Sequence, residues 1–530
     1  MGYLDELIEE SKKSSSEEEV FKELEEEEKK EESEEEEEED TSKLILVKEY
    51  GRVKIYKSPE ESILLYHIPV PKMTPSERAI LNTIKEAATR LITISPEEIK
   101  DPKARWNFYF KKIKEIIKAA PELGVPASKI DFYAEWVTHE MIGYGPLDLI
   151  LEDDNLEEIM VIGPGRPVYV FHREYDMMKT NLVFKSDEDI YAIIDKIARF
   201  IGRRIDIQTP LLDATLPDGS RVNATIKPIS PDGATLTIRK FRQTPFTAVD
   251  LIKKGTFSTE LAAFLWMAVD GLMAKPANIL VSGGTGSGKT TTLNVLASFI
   301  PERERVITVE DTPELKLPIE HWVRLLTRPP GLEGTGEITM DILVKNTLRM
   351  RPDRIIVGEV RHAEAFTLFT AMNTGHDGCM GTIHANSAQE TIVRIMNPPM
   401  NVPVIMVSAL DLVVVQARIH DRRKGTIRRV IEVAEVEGVV EGKPQLQTLY
   451  EWDAYTDTIK STGMPSKYLM ELRKYTGMSK REIEKELERR KNFLEGLVAR
   501  DVTDLNDFKK EIINYYKQEQ SGEEPVSENG

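Results

Sequence analysis

A chain of 530 residues carrying a net charge of −19 is too long for one ordinary hydrophobic core and predicts two or three domains. Its single cysteine, Cys379, excludes an intramolecular disulfide and a four-cysteine zinc site and suits a reducing cytoplasm. No apolar run approaches the ~20 residues that cross a bilayer, and Met1-Gly2-Tyr3-Leu4 does not open a signal peptide, so the expectation is a soluble protein that meets a membrane only through a partner.

The charge is unevenly spread. Residues 1–40 hold 21 acidic side chains and 5 lysines, and the other 490 residues carry a net of only −3. From Glu34 to Asp40 every residue is a carboxylate. Such a segment cannot bury enough apolar surface to offset its ordering entropy, which predicts a disordered acidic tail over 1–42. An N-terminal α/β domain is expected over 43–243. Apolar–polar alternation gives strands at Leu44–Val47, Val53–Tyr56 and Ile63–Tyr66. Residues 75–142 read as helices, with Ile113, Ile116 and Ile117 near a 3.6-residue period. Further strands are expected around Ile159–Val161, Val168–Phe171 and Ala234–Ile238, and a helix near Ile190–Ile201. Thr244-Pro245-Phe246 marks a linker, placed at 244–250. A second domain is placed at 251–455, and residues 247–430 alternate strands and helices as a mostly parallel sheet requires. A C-terminal helical extension follows over 456–530, with Ile483, Leu487, Leu494 and Leu497 on one face.

Within the second domain, Gly283-Gly284-Thr285-Gly286-Ser287-Gly288-Lys289-Thr290 matches the phosphate-binding loop G-x-x-x-x-G-K-[ST]. Its glycines let backbone N–H groups turn inward around phosphate oxygens; Lys289 brings a point charge to the β- and γ-phosphates, and the Thr290 hydroxyl is suited to Mg²⁺. The preceding Asn278–Val281 reads as a buried strand, and Thr291, with the residues after it, as the helix whose N-terminus faces the anion. ATP with Mg²⁺ is the expected ligand. Two further strands, Val306–Val309 and Arg354–Val357, end in Glu310 and in Gly358-Glu359. Strand ends of open α/β sheets face the ligand, so both glutamates are expected at the γ-phosphate. A glutamate there can polarise water, which favours hydrolysis over transfer to a hydroxyl. Gly358 stands where an Mg²⁺-holding aspartate is usual, leaving Glu359 as the residue to reach the metal through water. His376 and His384 flank a short apolar segment. They lack an acidic or cysteine ligand at a familiar metal spacing, which leaves a structural pair or a sensor of the γ-phosphate or of a neighbouring subunit.

Taken together, several separate segments resemble the secretion ATPase superfamily, whose members power type II secretion, type IV pili and archaeal surface filaments. They are the phosphate loop, Thr308-Val309-Glu310-Asp311, Leu348-Arg349-Met350-Arg351-Pro352-Asp353 ahead of Gly358-Glu359-Val360-Arg361, and Thr382-Ile383-His384-Ala385-Asn386. Upstream, Tyr144-Gly145-Pro146-Leu147, Leu216-Pro217-Asp218-Gly219-Ser220-Arg221-Val222-Asn223 and Thr237-Ile238-Arg239-Lys240-Phe241 resemble the N-terminal domain of that superfamily. The resemblance covers residues 130–455. The four-cysteine insertion of bacterial assembly ATPases and the C-terminal motif of retraction ATPases are missing, whereas Asn397–Pro403, Val415–Gly425 and Tyr450–Asp453 resemble archaellum motor ATPases. Archaeal type IV pilus and type II-like secretion ATPases are the alternative.

The resemblance implies a homohexamer of subunits, each joining a RecA-like C-terminal domain to an N-terminal domain through a linker. It assigns Gly283 to Thr291 to the nucleotide, Glu310 and Glu359 to the attacking water, and His376 and His384 to sensing of the γ-phosphate. Arg221, Arg239 and Arg349 become charge donors to the transferring phosphoryl group, with exposed ion pairs as the plainer reading. It further implies a polytopic membrane platform protein and cytoplasmic accessory motor proteins as partners, at the cytoplasmic face of the membrane. A nucleic-acid motor would need a basic, aromatic-rich track. Lys253-Lys254 and Arg422-Arg423-Lys424 are too short for one, so no nucleic-acid partner is expected.

Overall fold

The computed structural model describes residues 44–521 apart from 72, 100, 242–243, 332–334 and 422–423; the acidic segment 1–42 lies outside the described residues. Two compact units divide between Phe241 and Arg242.

The first unit is built on a nine-stranded sheet in the order β1-β2-β3-β6-β5-β4-β9-β8-β7. Its strands are β1 Ile45–Tyr50, β2 Val53–Lys57, β3 Leu64–His67, β4 Leu156–Val161, β5 Pro167–His172, β6 Asp176–Val183, β7 Leu211–Thr215, β8 Arg221–Thr225 and β9 Thr235–Arg239. Neighbours are antiparallel except β3 and β6. Alternation sets the faces: β9 buries Leu236 and Ile238 and turns Thr235, Thr237 and Arg239 the other way. Three helices, α1 Pro75–Leu91, α2 Pro102–Ala119 and α3 Ile130–Ile142, enclose a core of Leu81, Ile84, Ile113, Ile117, Tyr133 and Val137. The first begins at a capping box between Thr74 and Glu77 with proline in its first turn, which satisfies otherwise orphaned N–H groups. Helix α4, Asp187–Phe200, lays Ile190, Ile193, Ile194 and Ile197 on the core of the sheet.

A second nine-stranded sheet, in the order β12-β11-β13-β14-β10-β15-β16-β17-β18, organises the other unit. Six neighbours run parallel: β12 Trp322–Leu326, β11 Val306–Glu310, β13 Arg354–Val360, β14 Met380–Ile383, β10 Ile279–Gly283 and β15 Leu412–Asp421. The remaining three, β16 Gly425–Val440, β17 Lys443–Asp453 and β18 Thr458–Ser461, form an antiparallel meander. The sheet is thus mostly parallel, as expected, with an antiparallel extension beyond β15. The reason is connection length: three residues separate β15 from β16, whereas a parallel crossover needs about a dozen or more. Strands β10 and β11 are buried along their whole length, as suits a sheet covered on both faces.

Helices of this unit are α5 Thr259–Asp270, α6 Lys289–Ser298, α7 Met340–Thr347, α8 Glu364–Asn373, α9 Ala388–Met396, α10 Lys467–Thr476, α11 Lys480–Ala499 and α12 Leu505–Ser521. The last three share one core with α5 and α6, where Tyr468, Leu494, Phe508 and Ile512 meet Trp266 and Phe299. The sheet runs past 455 through the β17–β18 hairpin, and the segment 244–250 already contains the start of a helix, Ala248–Lys253, boxed at its N-terminus by Thr247 and Asp250.

Candidate active site

Strand β10 ends at Gly283, and the chain turns through Gly284 to Gly288 into α6. Two loop residues take left-handed backbone, Gly286 at φ +69° and Gly288 at φ +96°, which glycine adopts without the steric penalty of a Cβ. A Cβ on Gly283 would stand 2.2 Å from the Gln416 carbonyl oxygen and 2.5 Å from Ser287 Oγ. The Ser287 hydroxyl donates to the Gly284 carbonyl at 2.9 Å, and Lys289 Nζ donates to that same oxygen at 2.9 Å. No side chain caps the start of α6, so its first-turn N–H groups remain for an anion. Thr290 and Thr291 lie half-buried in that turn, and Thr285 is exposed on the loop. These residues fit a nucleotide phosphate with Mg²⁺.

Glu310 closes β11. Its side chain is 2% exposed; Oε1 accepts from the N–H groups of Glu314 and Leu315 at 2.9 Å, while Oε2 is buried without a hydrogen bond. Burial pushes the carboxyl up to about 7, opposed by those two N–H bonds and by Arg324, whose Nε lies 3.9 Å away. Gly358 makes this possible, since a Cβ there would come 3.0 Å from Glu310 Cγ.

The pairing of β13 with β14 is interrupted between Val357 and Val360, and Glu359 sits in that irregularity, a common device for re-aiming a side chain. Glu359 pairs with the Arg361 guanidinium, and its Oε1 lies 3.1 Å from His384 Nε2 without forming a well-aligned hydrogen bond. Burial alone would raise this carboxyl, but Arg361, reinforced by His384 and Lys289, holds it below the usual range. His384 is pushed down by burial and by the Lys289 charge. At neutral pH the cluster therefore combines an ionised Glu359 with a neutral His384.

His384 follows β14 directly, at the carboxyl edge of the sheet, but His376 precedes Met380, the first residue of that strand. Since β14 runs parallel to β10 in register, His376 lies at the opposite, amino edge, and the structure does not bring it to the phosphate loop. Its Nδ1 is buried without a hydrogen bond. Arg349 is likewise at the amino edge, exposed after the end of α7 and ahead of the entry to β13. The expectation that both serve this chain's own phosphate site is corrected on that ground. In the first unit, Arg221 and Arg239 face each other across β8 and β9, on the side of the strands turned away from Val222 and Ile238 of the core.

Three supports of the loop escaped sequence reasoning. Gln416, 2% exposed, pairs in register with Gly283 and accepts from Thr292 Oγ1 at 2.7 Å. Arg428 Nε donates to the Gly286 carbonyl at 2.8 Å. Arg361 holds Glu359. A glutamine directly after the apolar run Leu412–Val415 was the available signal; nothing local marks Arg428.

A phosphate loop between a fully buried strand and a helix, with acids at the ends of neighbouring parallel strands, defines a RecA-like P-loop ATPase. The chain belongs to the type II/IV secretion system protein family, whose model matches residues 141–447. An uncharacterised protein of Methanocaldococcus jannaschii is 33% identical over 86% of this chain and 86% of its own length, and a second from the same organism is 34% identical over 84% and 79%. The type IV secretion system protein VirB11 of Bartonella henselae is 32% identical over 46% of this chain and 76% of its own. Among solved structures, the VirB11 ATPase of Brucella suis in complex with sulphate aligns with 54% of this chain and 91% of its own, at 27% identity and a TM-score of 0.27. No helix among the described residues is long and apolar enough to cross a membrane.

Proposed function

We propose that this ATPase is the hexameric motor of an archaeal surface filament, the archaellum, and moves a polytopic membrane platform protein from the cytoplasmic face of the membrane. The observation that carries the hydrolytic part is the ionised Glu359 beside neutral His384 and Lys289 at the phosphate loop. Backbone N–H groups from Gly284 to Thr291 and Lys289 hold the phosphates, and Thr290, with Glu359 through water, would hold Mg²⁺, which would supply charge neutralisation at the phosphate oxygens. Glu359 takes the proton of the attacking water as its oxygen bonds to the γ-phosphorus and the bond to the bridging oxygen breaks. Glu310 orients that water, and His384 registers whether the γ-phosphate is present. Arg221 and Arg239 supply positive charge from the N-terminal domain. Release of these contacts after hydrolysis lets that domain move, a mechanical use of the γ-phosphate seen in other switches. Cytoplasmic accessory motor proteins join the assembly, and nucleic acid has no part in it. The family match, which spans type II and type IV systems, favours a second reading, the ATPase of an archaeal type IV pilus or type II-like secretion system.

The test is turnover of the purified chain. Specific activity rises with protein concentration and on adding anionic lipid or the platform protein, and it ignores nucleic acid. A concentration-independent monomeric ATPase, or one strongly stimulated by single-stranded DNA, overturns the motor reading. Arg221→Ala lowers turnover by about 10³-fold if it acts as an arginine finger; unchanged turnover at saturating ATP removes it from the site.

A further inference from the structure

Helix α6, which presents the phosphate-binding N–H groups at one end, finishes at Ser298, and its last carbonyls need donors. Local groups satisfy three of them: Ser298 Oγ donates to Val295, and the N–H groups of Phe299 and Ile300 donate to Leu296 and Ala297. The carbonyls of Ser298 and Ile300 are taken by one distant side chain. Lys509 of α12, 5% exposed, donates from Nζ to Ser298 at 3.1 Å and to Ile300 at 2.6 Å. An ammonium group at a helix C-terminus also opposes the partial negative charge of the helix dipole. Burial lowers the Lys509 ammonium to about 8, with Glu302 and Glu304 opposing that shift.

The same helix grips the element that leads into β10. Tyr516 Oη accepts from Trp266 Nε1 at 2.7 Å and lies 2.7 Å from Asp270 Oδ2 and 3.2 Å from the Phe299 carbonyl oxygen. Asp270 ends α5 and is bound in turn by Arg490 Nη1 of α11 at 2.7 Å. Helix α12 is thus fastened both to the approach to the phosphate-loop strand and to the far end of the phosphate-loop helix. A ten-residue helix moves nearly as a rod of about 15 Å, so fixing its C-terminus fixes the direction of the N–H groups at its start.

We infer that Lys509 and Tyr516 are positioning residues of the nucleotide site: the C-terminal helix holds α6 in the pose that binds phosphate. The inference rests on the ATPase reading. In Lys509→Met the helix keeps its packing but loses its donor, and a smaller share of molecules holds the competent pose. If that share falls to about a tenth, the apparent Kd for ATP rises about tenfold, because affinity scales with the competent fraction. The turnover number at saturating ATP stays near the wild-type value, since bound nucleotide restores the pose.

The experiment titrates a fluorescent ATP analogue into the full-length wild type, Lys509→Met and Tyr516→Phe, well below each melting temperature, and measures kcat beside KM. Weaker binding with kcat retained in Lys509→Met, and a smaller shift in the same direction in Tyr516→Phe, supports positioning. Lowered melting temperatures with Kd unchanged in both variants overturn it and leave the contacts purely structural. Tyr516→Phe, which removes one hydroxyl, decides the matter alone if Lys509→Met fails to fold. A wild type that does not bind the analogue disproves the ATPase reading instead.

Discussion

The two edges of the parallel sheet in the second unit use similar residues to opposite ends. At the amino edge opposite charges close on one another. Lys275 pairs with Asp377 and Arg354 with Glu304, while Asp411 accepts from the Asn278 N–H at 2.7 Å. At the carboxyl edge the acids are held partly by backbone donors or by neighbouring cations, and Glu310 and Glu359 each keep one buried oxygen without a hydrogen bond. The first arrangement pairs charge with charge and holds strands together, although the two Nη groups of Arg354 keep no hydrogen bond. The second leaves charge to act on something else. A perturbed carboxylate marks chemistry only when its partners leave capacity over: Asp411, raised to about 7 like Glu310, serves at the closed edge.

Substitutions on each edge break or sharpen this contrast. The largest effect belongs to Lys289→Ala at the open edge, which lowers turnover by more than about 10³-fold and greatly weakens nucleotide binding; near-normal turnover of the purified variant would end the phosphate-loop assignment. Glu359→Gln follows. It keeps ATP binding and costs about 10²–10⁴-fold in turnover, measured in parallel by binding and phosphate release. Loss of binding together with turnover would make it a metal or structural residue.

At the closed edge, Arg354→Met leaves Glu304 mostly buried without its cation and costs about 3–5 kcal/mol of stability, read by denaturant unfolding, with kcat per folded molecule preserved. Arg354 leaves both Nη groups without partners, so Glu304 is the contact that matters; an unfolding midpoint equal to wild type would refute this. For the nucleotide-free protein, the raised Glu310 pKa favours the folded state when that group is protonated. Its contribution is present below about 4.5 and lost as pH rises through about 7, an amount of up to about 3 kcal/mol by linkage. The stability difference between wild type and Glu310→Gln therefore declines across that window, and a flat difference would contradict the assignment. The smallest effect is expected from His376→Ala, which leaves kcat unchanged while His384→Ala lowers it.

Those two histidines show how far the sequence could be read. They stand eight positions apart around a short apolar segment, and the resemblance assigned both to the γ-phosphate, but that segment is a strand that carries the chain from one edge of the sheet to the other. Arg349 misled for a similar reason: its motif adjoins β13, yet it stands at the entry to that strand whereas Glu359 lies toward its exit. The antiparallel turn from β15 into the β16–β18 meander was not visible in a segment read as a mostly parallel sheet, because apolar patterning gives strands without their direction. Thr292 and Gln416 are 124 residues apart, Gly286 and Arg428 are 142, and Ile300 and Lys509 are 209. No local pattern reports such contacts.

What the sequence determined by itself is the phosphate loop with its flanking strand and helix, and the placing of Glu310 and Glu359 at strand ends. That information is contiguous, because phosphate is gripped by successive backbone N–H groups whose geometry depends on glycines a few positions apart. Tertiary structure alone decided which ionisable groups share an edge, which oxygens stay without bonds, and which distant side chains hold the loop in place. Those outcomes depend on strand order, register and burial, and the same residue types serve structure at one end of a strand and chemistry at the other.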